Sequence, residues 1–307
     1  MVQDWVFIIN PLSGGGKGAK NWAKAKTVID SQGLSYDYAQ TVGPGHAVEM
    51  VKSRILSGHR RFCIVGGDGT MHEALNGIFA QKAVNSQEIC LAMVPSGTGN
   101  DWARSHKIAL KPEQSIAALR NGRAMLQDIG KIQYLVGEAE QQRYFINVAG
   151  LGYDAYVAEK FLARLKGLGK LSFMAAVVGG LSSYHNEEIS VFADEFETND
   201  RVFLFAIAIN NYFGGGMKIA PDALPSDGLF DITLVGNISK WQVILQLKNL
   251  FDGSFVKHPL VKQMRTAKLL IESEKPLYLQ ADGELLGHTP FSIHCLPSAV
   301  QVISHKA

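Results

Sequence analysis

Three glycine-rich clusters, each directly after an apolar run, constrain the fold of this chain more than any other feature. The clusters are residues 10–17 (NPLSGGGK), 66–70 (GGDGT) and 95–101 (PSGTGND). Apolar runs that alternate with helical patterns are typical of strands in a parallel sheet that is covered on both faces. The first part of the sequence therefore predicts βαβ units, with each glycine cluster at the carboxyl end of a strand.

The pattern changes near residue 123, where short strand-like runs begin to follow one another with turn signals between them. Such runs favour an antiparallel sandwich or barrel. Helical patterns interrupt them at about residues 153–184 and 239–251. Since 307 residues suffice for about two domains, we place an α/β domain at residues 1–124 and an all-β domain after it.

Composition excludes several classes of protein. Thirty Lys and Arg residues against 28 Asp and Glu residues give a formal charge of +2, which is too small for a protein that coats nucleic acid. Cys63, Cys90 and Cys295 form no C-x-x-C pair, so neither a disulfide framework nor a zinc site is expected, and the first two are interpreted as buried thiols. The N-terminal segment has no basic signal region, and the longest near-uncharged stretch, residues 171–184, is too short to span a bilayer. We therefore expect a cytoplasmic protein.

The positions of the glycine clusters predict phosphate binding. In doubly wound folds, ligands bind beyond the carboxyl ends of the strands. Glycine lets the backbone approach an anion closely, and a following helix N-terminus adds unpaired N–H donors. Lys17 adds a full positive charge, and Ser13, Thr70 and Thr98 add hydroxyl groups. Tight turns alone would explain one such cluster, but three in register favour a phosphate site.

Two common phosphate motifs fit less well. The Walker A motif requires Ser or Thr after its lysine, and here Gly18 follows Lys17. The dinucleotide motif G-x-G-x-x-A is met at residues 14–19, with Asp37 downstream, but it leaves the second and third clusters without a role. Asp68, between two glycines, would repel a phosphate unless Mg²⁺ bridges the two or the carboxylate accepts a proton. The alternative for Asp68 is a helix N-cap.

Together, the three clusters resemble those of the bacterial diacylglycerol kinase and sphingosine kinase family. The resemblance continues at residues 147–152 (NVAGLG), 220–231 (APDALPSDGLFD) and 280–284 (QADGE), so the matches run in order from residue 8 to about residue 290. It implies an ATP-binding, doubly wound parallel-sheet α/β domain and an antiparallel β-sandwich domain for the acceptor at residues 125–290, with a cleft between them. It also implies that residues 291–307 return to the first domain.

Carried over position by position, the resemblance assigns three groups of residues. Those that would contact ATP are Asn10, Pro11, Ser13, Gly14, Lys17, Thr41, Gly66, Gly67, Asp68, Gly69, Thr70, Met71, His72, Glu73 and Thr98. The carboxylate of Asp227 and the backbone carbonyls of Leu224 and Leu229 would hold a structural Mg²⁺. The catalytic residues would be Asp68 together with Asp282 and Glu284, the two positions at which the family places its general base.

One position departs from the family. His72 replaces the Asn that usually follows the second cluster. Histidine still offers a hydrogen-bond donor, so His72 is either a nucleotide contact or an exposed helix residue. His46, in the loop that carries Thr41, would lie near the phosphates or cap a helix.

The implied function is that of an ATP-dependent lipid kinase, which transfers the γ-phosphoryl group to a lipid hydroxyl with ATP and Mg²⁺ as cofactors. Such an acceptor requires peripheral contact with the inner face of a membrane. Residues 160–170 mix basic and apolar residues as an interfacial segment would, although a packed amphipathic helix has the same pattern. The apolar residues of 240–251 are interpreted as core contacts. A homodimer is compatible with this function, and nucleic acid is not an expected partner.

Three other functions stay open. A soluble-substrate kinase of the NAD kinase type shares the second cluster, a non-catalytic nucleotide- or lipid-binding regulator could use the same scaffold, and a Rossmann oxidoreductase would use residues 14–19. The loop that carries Asp227 and the turn that carries Asp282 and Glu284 favour the lipid kinase, because a binding module needs neither acid of that turn.

Overall fold

The computed structural model describes residues 4–162, 175 and 177–304. The chain divides into two compact units: residues up to Gln127 together with those from Ser298 onward form the first, and Asp128–Pro297 forms the second. The strands β5 (Arg123–Val136) and β15 (Glu284–Ser304) each cross from one unit to the other.

The first unit is built on a parallel sheet. Its strands are β1 (Trp5–Ile9), β2 (Tyr36–Gln40), β3 (Arg61–Gly66) and β4 (Cys90–Pro95), in the spatial order β2–β1–β3–β4, and the end of β15 adds a fifth strand beside β4. All these pairs are parallel; for example, Ile9 is opposite Val65 and Gln301 is opposite Cys90. The helices are α1 (Ser13–Ser31), α2 (His46–Leu56), α3 (Asp68–Phe79), α4 (Asp101–Ser105) and α5 (Pro112–Asn121). A parallel sheet with alternating helices confirms the predicted α/β class.

The second unit is antiparallel. Its remaining strands are β6 (Ala139–Phe145), β7 (Val148–Gly152), β8 (Glu187–Ala193), β9 (Glu197–Val202), β10 (Leu204–Ala208), β11 (Phe230–Val235), β12 (Val261–Thr266), β13 (Lys268–Glu272) and β14 (Tyr278–Ala281). One path runs β12–β11–β10–β7–β14–β15; β13 joins β15 to the β8–β9 hairpin, and β5 pairs with β15 and β6. Side chains from both groups of strands, such as Phe205, Phe230, Val191 and Phe291, meet in one buried cluster. The predicted antiparallel β-rich domain is confirmed.

Helices cover the other face of β7 and β10. They are α6 (Tyr153–Val157), which continues into a π-helical turn at Ala158–Leu162, then α7 (Lys240–Gln246) and α8 (Asn249–Asp252). Val243 and Phe255 are buried against this face together with Ala206 and Ala208. None of the described helices is long and apolar enough to cross a membrane.

The core interpretation of residues 240–251 is wrong for three of the large apolar residues at its start. Trp241 is 68% exposed, Leu245 60% and Ile244 40%. The helix touches the sheet through Val243 and Leu250, and these lie on the opposite side of a 3.6-residue helical turn from Trp241 and Leu245. The prediction for residues 160–170 falls almost entirely on positions outside the described residues.

The two cysteines interpreted as buried thiols lie on adjacent strands of the first sheet. Cys63 is on β3 and Cys90 on β4, and both are buried. Burial raises the pKa of the Cys90 thiol to about 11, and it raises the pKa of Cys63 as well. Both thiols are therefore protonated at neutral pH and act as small apolar side chains.

Candidate functional site

The structure brings the three glycine clusters together at one edge of the parallel sheet. The Asn10 amide donates to the Val65 carbonyl (2.9 Å), and the Ser96 amide donates to the Gly66 carbonyl (2.7 Å). These two bonds align the carboxyl ends of β1, β3 and β4. The arrangement is the one at which doubly wound folds bind ligands.

Side chains and close backbone contacts then join the clusters. Asn10 Nδ2 donates to Thr70 Oγ1 (3.0 Å), while its Oδ1 accepts from the Leu12 amide (3.1 Å). A Cβ atom at Gly14 would lie 2.1 Å from the carbonyl oxygen of Ser96, and one at Gly97 would lie 2.6 Å from the Cα of Gly67. The clusters thus pack backbone against backbone, which only residues without a side chain allow.

The first cluster has a backbone that the sequence alone did not specify. Gly14, Gly15 and Gly16 have φ angles of 58°, 71° and 89°, so the regular part of α1 begins only at Lys17. Three successive left-handed residues are accessible to glycine and strained for other amino acids. Lys17 is exposed at the end of this run, where its ammonium group is available to an anion.

Asp68 is the first residue of α3 and not its N-cap, which is Gly67. Its Oδ1 accepts from the Trp102 amide at the start of α4 (3.1 Å). Its Oδ2 and that of Asp101 would each lie 3.0 Å from a Cβ atom at Gly99, so two carboxylates flank this glycine. Asp101 ends the third cluster and was not among the residues expected at the site. Two carboxylates in one place supply the hard oxygen ligands that Mg²⁺ prefers.

His72 and Glu73, which follow Asp68 on α3, are structural residues of the site. His72 is only 2% exposed, so its interpretation as an exposed helix residue is wrong: α3 is buried on both sides of this position. Glu73 accepts from the Gly45 amide (2.9 Å) and the Ala47 amide (3.1 Å). These two bonds fix the loop that carries Thr41 to α3, which begins in the second cluster.

Thr41 and His46 lie at the two ends of that loop. The Thr41 amide donates to the Ile9 carbonyl (2.8 Å). His46 begins α2, and its Nδ1 accepts from the Val42 amide (3.1 Å). The His46 ring therefore bridges the loop and does not cap the helix, whose N-cap is Gly45 without a side-chain hydrogen bond.

In the second unit, the loop at residues 224–229 is organised by acids and one arginine. Asp227 forms an ion pair with Arg265, whose Nε also lies 3.4 Å from Asp231 Oδ1. Burial raises the pKa of Asp231. The buried Asp128 accepts from the Gly228 amide (2.7 Å), which holds the end of the loop.

This loop fits a metal ion only in part. Leu224 and Leu229 can offer backbone carbonyls, but the Asp227 carboxylate is already paired with Arg265. Nowhere in the described ranges do three His, Cys, Asp or Glu side chains converge as metal ligands would. A cation at Asp227 would have to compete with the guanidinium group.

Of the two candidate bases at residues 282 and 284, Asp282 lies in a tight turn and is bound to neighbouring backbone amides. Asp282 and Gly283 have φ angles of 51° and 86° and connect β14 to β15 with Ala281 opposite Glu284, the geometry of a type I′ turn. The Asp282 carboxylate accepts from the amides of Ile146 (3.0 Å), Asn147 (2.9 Å) and Val148 (3.2 Å). Asp282 thus anchors the turn to the start of β7.

A residue that the sequence analysis missed supports the same turn. Gln280 Nε2 donates to Asp154 Oδ2 (2.9 Å), while Gln280 Oε1 accepts from the Gly283 amide (2.9 Å). A Cβ atom at Gly150 would lie 2.1 Å from Asp154 Oδ2. Desolvation raises the pKa of the Asp154 carboxyl to about 6, against the opposing effect of the Gln280 bond. The available signal was an acid two residues after the 147–152 motif.

Comparison with known proteins matches both units. Residues 4–132 match the diacylglycerol kinase catalytic domain, and residues 147–304 match the YegS C-terminal NAD kinase beta sandwich-like domain. The Bacillus subtilis protein named "Putative lipid kinase YtlR" is 30% identical over 98% of this chain and 99% of that protein. The diacylglycerol kinase of Mycobacterium tuberculosis (strain H37Rv) is 27% identical over 96% of this chain and 93% of its own length.

A solved structure shows the same fold. The crystal structure of a diacylglycerol kinase from Bacillus anthracis (strain Sterne) superposes with a TM-score of 0.75 at 21% identity, covering 99% of this chain and 97% of the other. The two domain matches account for both units in order, and the glycine clusters lie in the first of them. The chain therefore belongs to the diacylglycerol kinase family of lipid kinases.

Proposed function

We propose that this protein transfers the γ-phosphoryl group of ATP to a hydroxyl group of a lipid, diacylglycerol or a related one. The observation that carries the proposal is the convergence of three glycine clusters with Asp68 at the carboxyl edge of the parallel sheet. Names of relatives that contain lipid kinase or diacylglycerol kinase support the acceptor class.

The first unit would hold the nucleotide. Phosphoryl transfer needs little covalent chemistry from the protein; it needs the phosphate charges neutralised and the reactants aligned. Backbone N–H groups of the clusters and the Lys17 ammonium group supply positive potential. Asp68, with Asp101 beside it, has the donor set to hold Mg²⁺, which would neutralise phosphate charge.

The second unit would supply the base. We favour Glu284 of the two, because both oxygens of the Asp282 carboxylate accept hydrogen bonds from backbone amides, which tie that side chain to the start of β7. We assign Asp282 the role of anchor and Glu284 that of proton acceptor for the lipid hydroxyl. A second magnesium ion at Asp227, Leu224 and Leu229 is part of the proposal, with the Arg265 pair as its competitor.

The test is an assay with labelled ATP against diacylglycerol, a sphingoid base, phosphatidylglycerol and NAD as acceptors. We expect a phosphorylated lipid and no phosphorylated NAD. Asp68→Ala should abolish transfer and leave the circular dichroism spectrum unchanged, because the substitution removes a half-buried carboxylate and its hydrogen bond from the Trp102 amide, a loss of about 1–3 kcal/mol that is small against the stability of a whole domain. Transfer to NAD alone would support a soluble-substrate kinase instead, and full turnover in the Asp68 variant would remove its assigned role.

The proposed acceptor also sets the place of action. A lipid kinase that uses cytoplasmic ATP works at the inner face of the membrane, so we propose a peripheral association there. Fractionation of cells into membrane and supernatant, before and after a high-salt wash, tests this directly.

A further inference from the structure

The helical segment α7–α8 exposes an apolar stripe. The backbone stays right-handed helical from Lys240 to Asp252, since Leu247 and Lys248, between the two helices, also have helical angles. Trp241, Ile244 and Leu245 lie three and four residues apart, so they share one face. All three are exposed. The segment is about 20 Å long at 1.5 Å per residue.

The stripe is not the face that holds the segment to the protein. Val243 is buried and Leu250 is packed against the same cluster of the second unit. The Ser239 side chain caps the N-terminus of α7 through a full capping box. The segment is therefore a well-anchored helix with one apolar face covered by the sheet and a second one in solvent. Surface helices of globular proteins normally have only the first.

Lysines outnumber acids along this segment and the residues that follow it. Residues 239–260 contain Lys240, Lys248 and Lys257 against the single acid Asp252. Lys248 follows Trp241 by seven residues and thus lies on the stripe, and both Lys248 and Lys257 are exposed. Exposed tryptophan and leucine flanked by lysine are the features of helices that lie in the interface of an anionic bilayer.

We propose that the stripe formed by Trp241, Ile244, Leu245 and Lys248 docks the protein on the surface of an anionic lipid bilayer. The inference rests on the proposed function, since a lipid acceptor has to be reached from a membrane surface, and it names the element that makes the contact. The tryptophan and leucine side chains enter the headgroup region, and the lysines contact anionic headgroups. No spanning helix is required for this mode of binding.

The tryptophans provide a direct readout. The chain has four, all within the described residues: Trp5, Trp22 and Trp102 are buried, and Trp241 is exposed. With the full chain, vesicles of phosphatidylcholine and phosphatidylglycerol should shift the fluorescence emission to shorter wavelength and protect it from an aqueous quencher. Vesicles of phosphatidylcholine alone should do so much less. Trp241→Phe should abolish the shift, which identifies its source.

Variants test the stripe itself. Leu245→Ser should lower the vesicle partition coefficient about tenfold, because a buried leucine side chain is lost from the interface. Lys248→Gln should lower binding to anionic vesicles and leave binding to neutral ones unchanged. Leu56→Ser, which removes an equally exposed leucine from the end of α2, is the matched control and should bind as the unmodified protein does.

The outcomes separate this inference from the proposed function. If a short-chain, water-soluble diacylglycerol is phosphorylated and Trp241 gives no shift with anionic vesicles, the docking surface is wrong and the kinase proposal stands. If Trp241 is protected without vesicles and sedimentation shows a dimer, the stripe is an interface between copies and the proposal is overturned. Phosphorylation of no acceptor, together with a normal shift, would refute the kinase and keep the docking surface.

Discussion

The surroundings of Asp154 predict how the free energy of unfolding depends on pH. In an unfolded chain this carboxyl would have a pKa of 3.8, and desolvation in the folded protein raises it to about 6. Between these two values the unfolded chain has released the proton while the folded one still holds it. The free energy of unfolding therefore falls by about 1.4 kcal/mol per pH unit over this window. The contribution of the protonated carboxyl is complete below pH 3.8 and is lost as the pH rises through about 6.

The perturbation is Asp154→Asn, which removes the titration. The variant should gain free energy of unfolding relative to the unmodified protein as the pH rises from about 4 to 6, by up to about 3 kcal/mol, and the difference should then stay constant to about pH 8. The figure is an upper bound, because Asp154 is partly exposed as a residue and solvent screens such effects. The two carboxylate oxygens of Asp154 accept from the Ala155 backbone amide and from Gln280 Nε2. The side chain of an asparagine at position 154 has only one oxygen and loses one of these hydrogen bonds. That loss does not depend on pH, so it cancels from the slope.

Urea unfolding followed by circular dichroism at a series of pH values measures the difference. Glu138→Gln, which removes an exposed carboxyl from the turn between β5 and β6, is the control and should stay within about 0.5 kcal/mol of the unmodified protein throughout. A difference between the Asp154 variant and the unmodified protein that is constant from about pH 4 to 8 would refute the reasoning. It would mean that the Gln280 bond fully compensates the loss of hydration.

Two further experiments test the site residues. Gly14→Ala should weaken ATP binding at least about tenfold and lower the melting temperature, because its methyl group would lie 2.1 Å from the Ser96 carbonyl oxygen. The control is Gly16→Ala, since Gly16 also has a left-handed φ but no atom lies within 4 Å of a Cβ built there. An equal loss of ATP affinity in both variants would contradict this explanation. Glu284→Gln should lower the turnover number about 10²-fold or more at an unchanged melting temperature. Asp282→Asn should instead lower the free energy of unfolding by about 1–3 kcal/mol, since it disturbs three hydrogen bonds that the carboxylate accepts from backbone amides. If Asp282→Asn alone abolishes turnover and is as stable as the unmodified protein, the roles of the two acids are reversed.

The α/β part of the fold was predictable from the sequence because its signals are local. Glycine clusters after apolar strands have one common structural cause, so their position along the chain also gives their position at the sheet edge. The close contact of Gly14 with Ser96 was not predictable, because it joins two segments about 80 residues apart. Sequence spacing indicates which loops share an edge and not which atoms touch.

The helix at residues 240–251 and the side chain of Asp154 show what the sequence could not predict. The apolar pattern of residues 240–251 correctly indicated a helix, but the same periodicity fits a face in the core and a face in solvent; only the packing of Val243 and Leu250 decides. Asp154 was overlooked because its partner, Gln280, lies 126 residues away. The position of Asp154 close to the 147–152 motif was visible in the sequence, but its hydrogen bond to a distant side chain was not.

Strand β15 affects the order in which this protein can fold during its synthesis. Residues 298–304 complete the parallel sheet beside β4, where Gln301 and Val302 are opposite Cys90 and Leu91. They are synthesised only after all 170 residues of the second unit, Asp128–Pro297. During translation, the edge of β4 therefore stays unpaired until the second unit has left the ribosome, and an open strand edge is prone to pair with other chains. The first unit thus completes its sheet last although its sequence comes first.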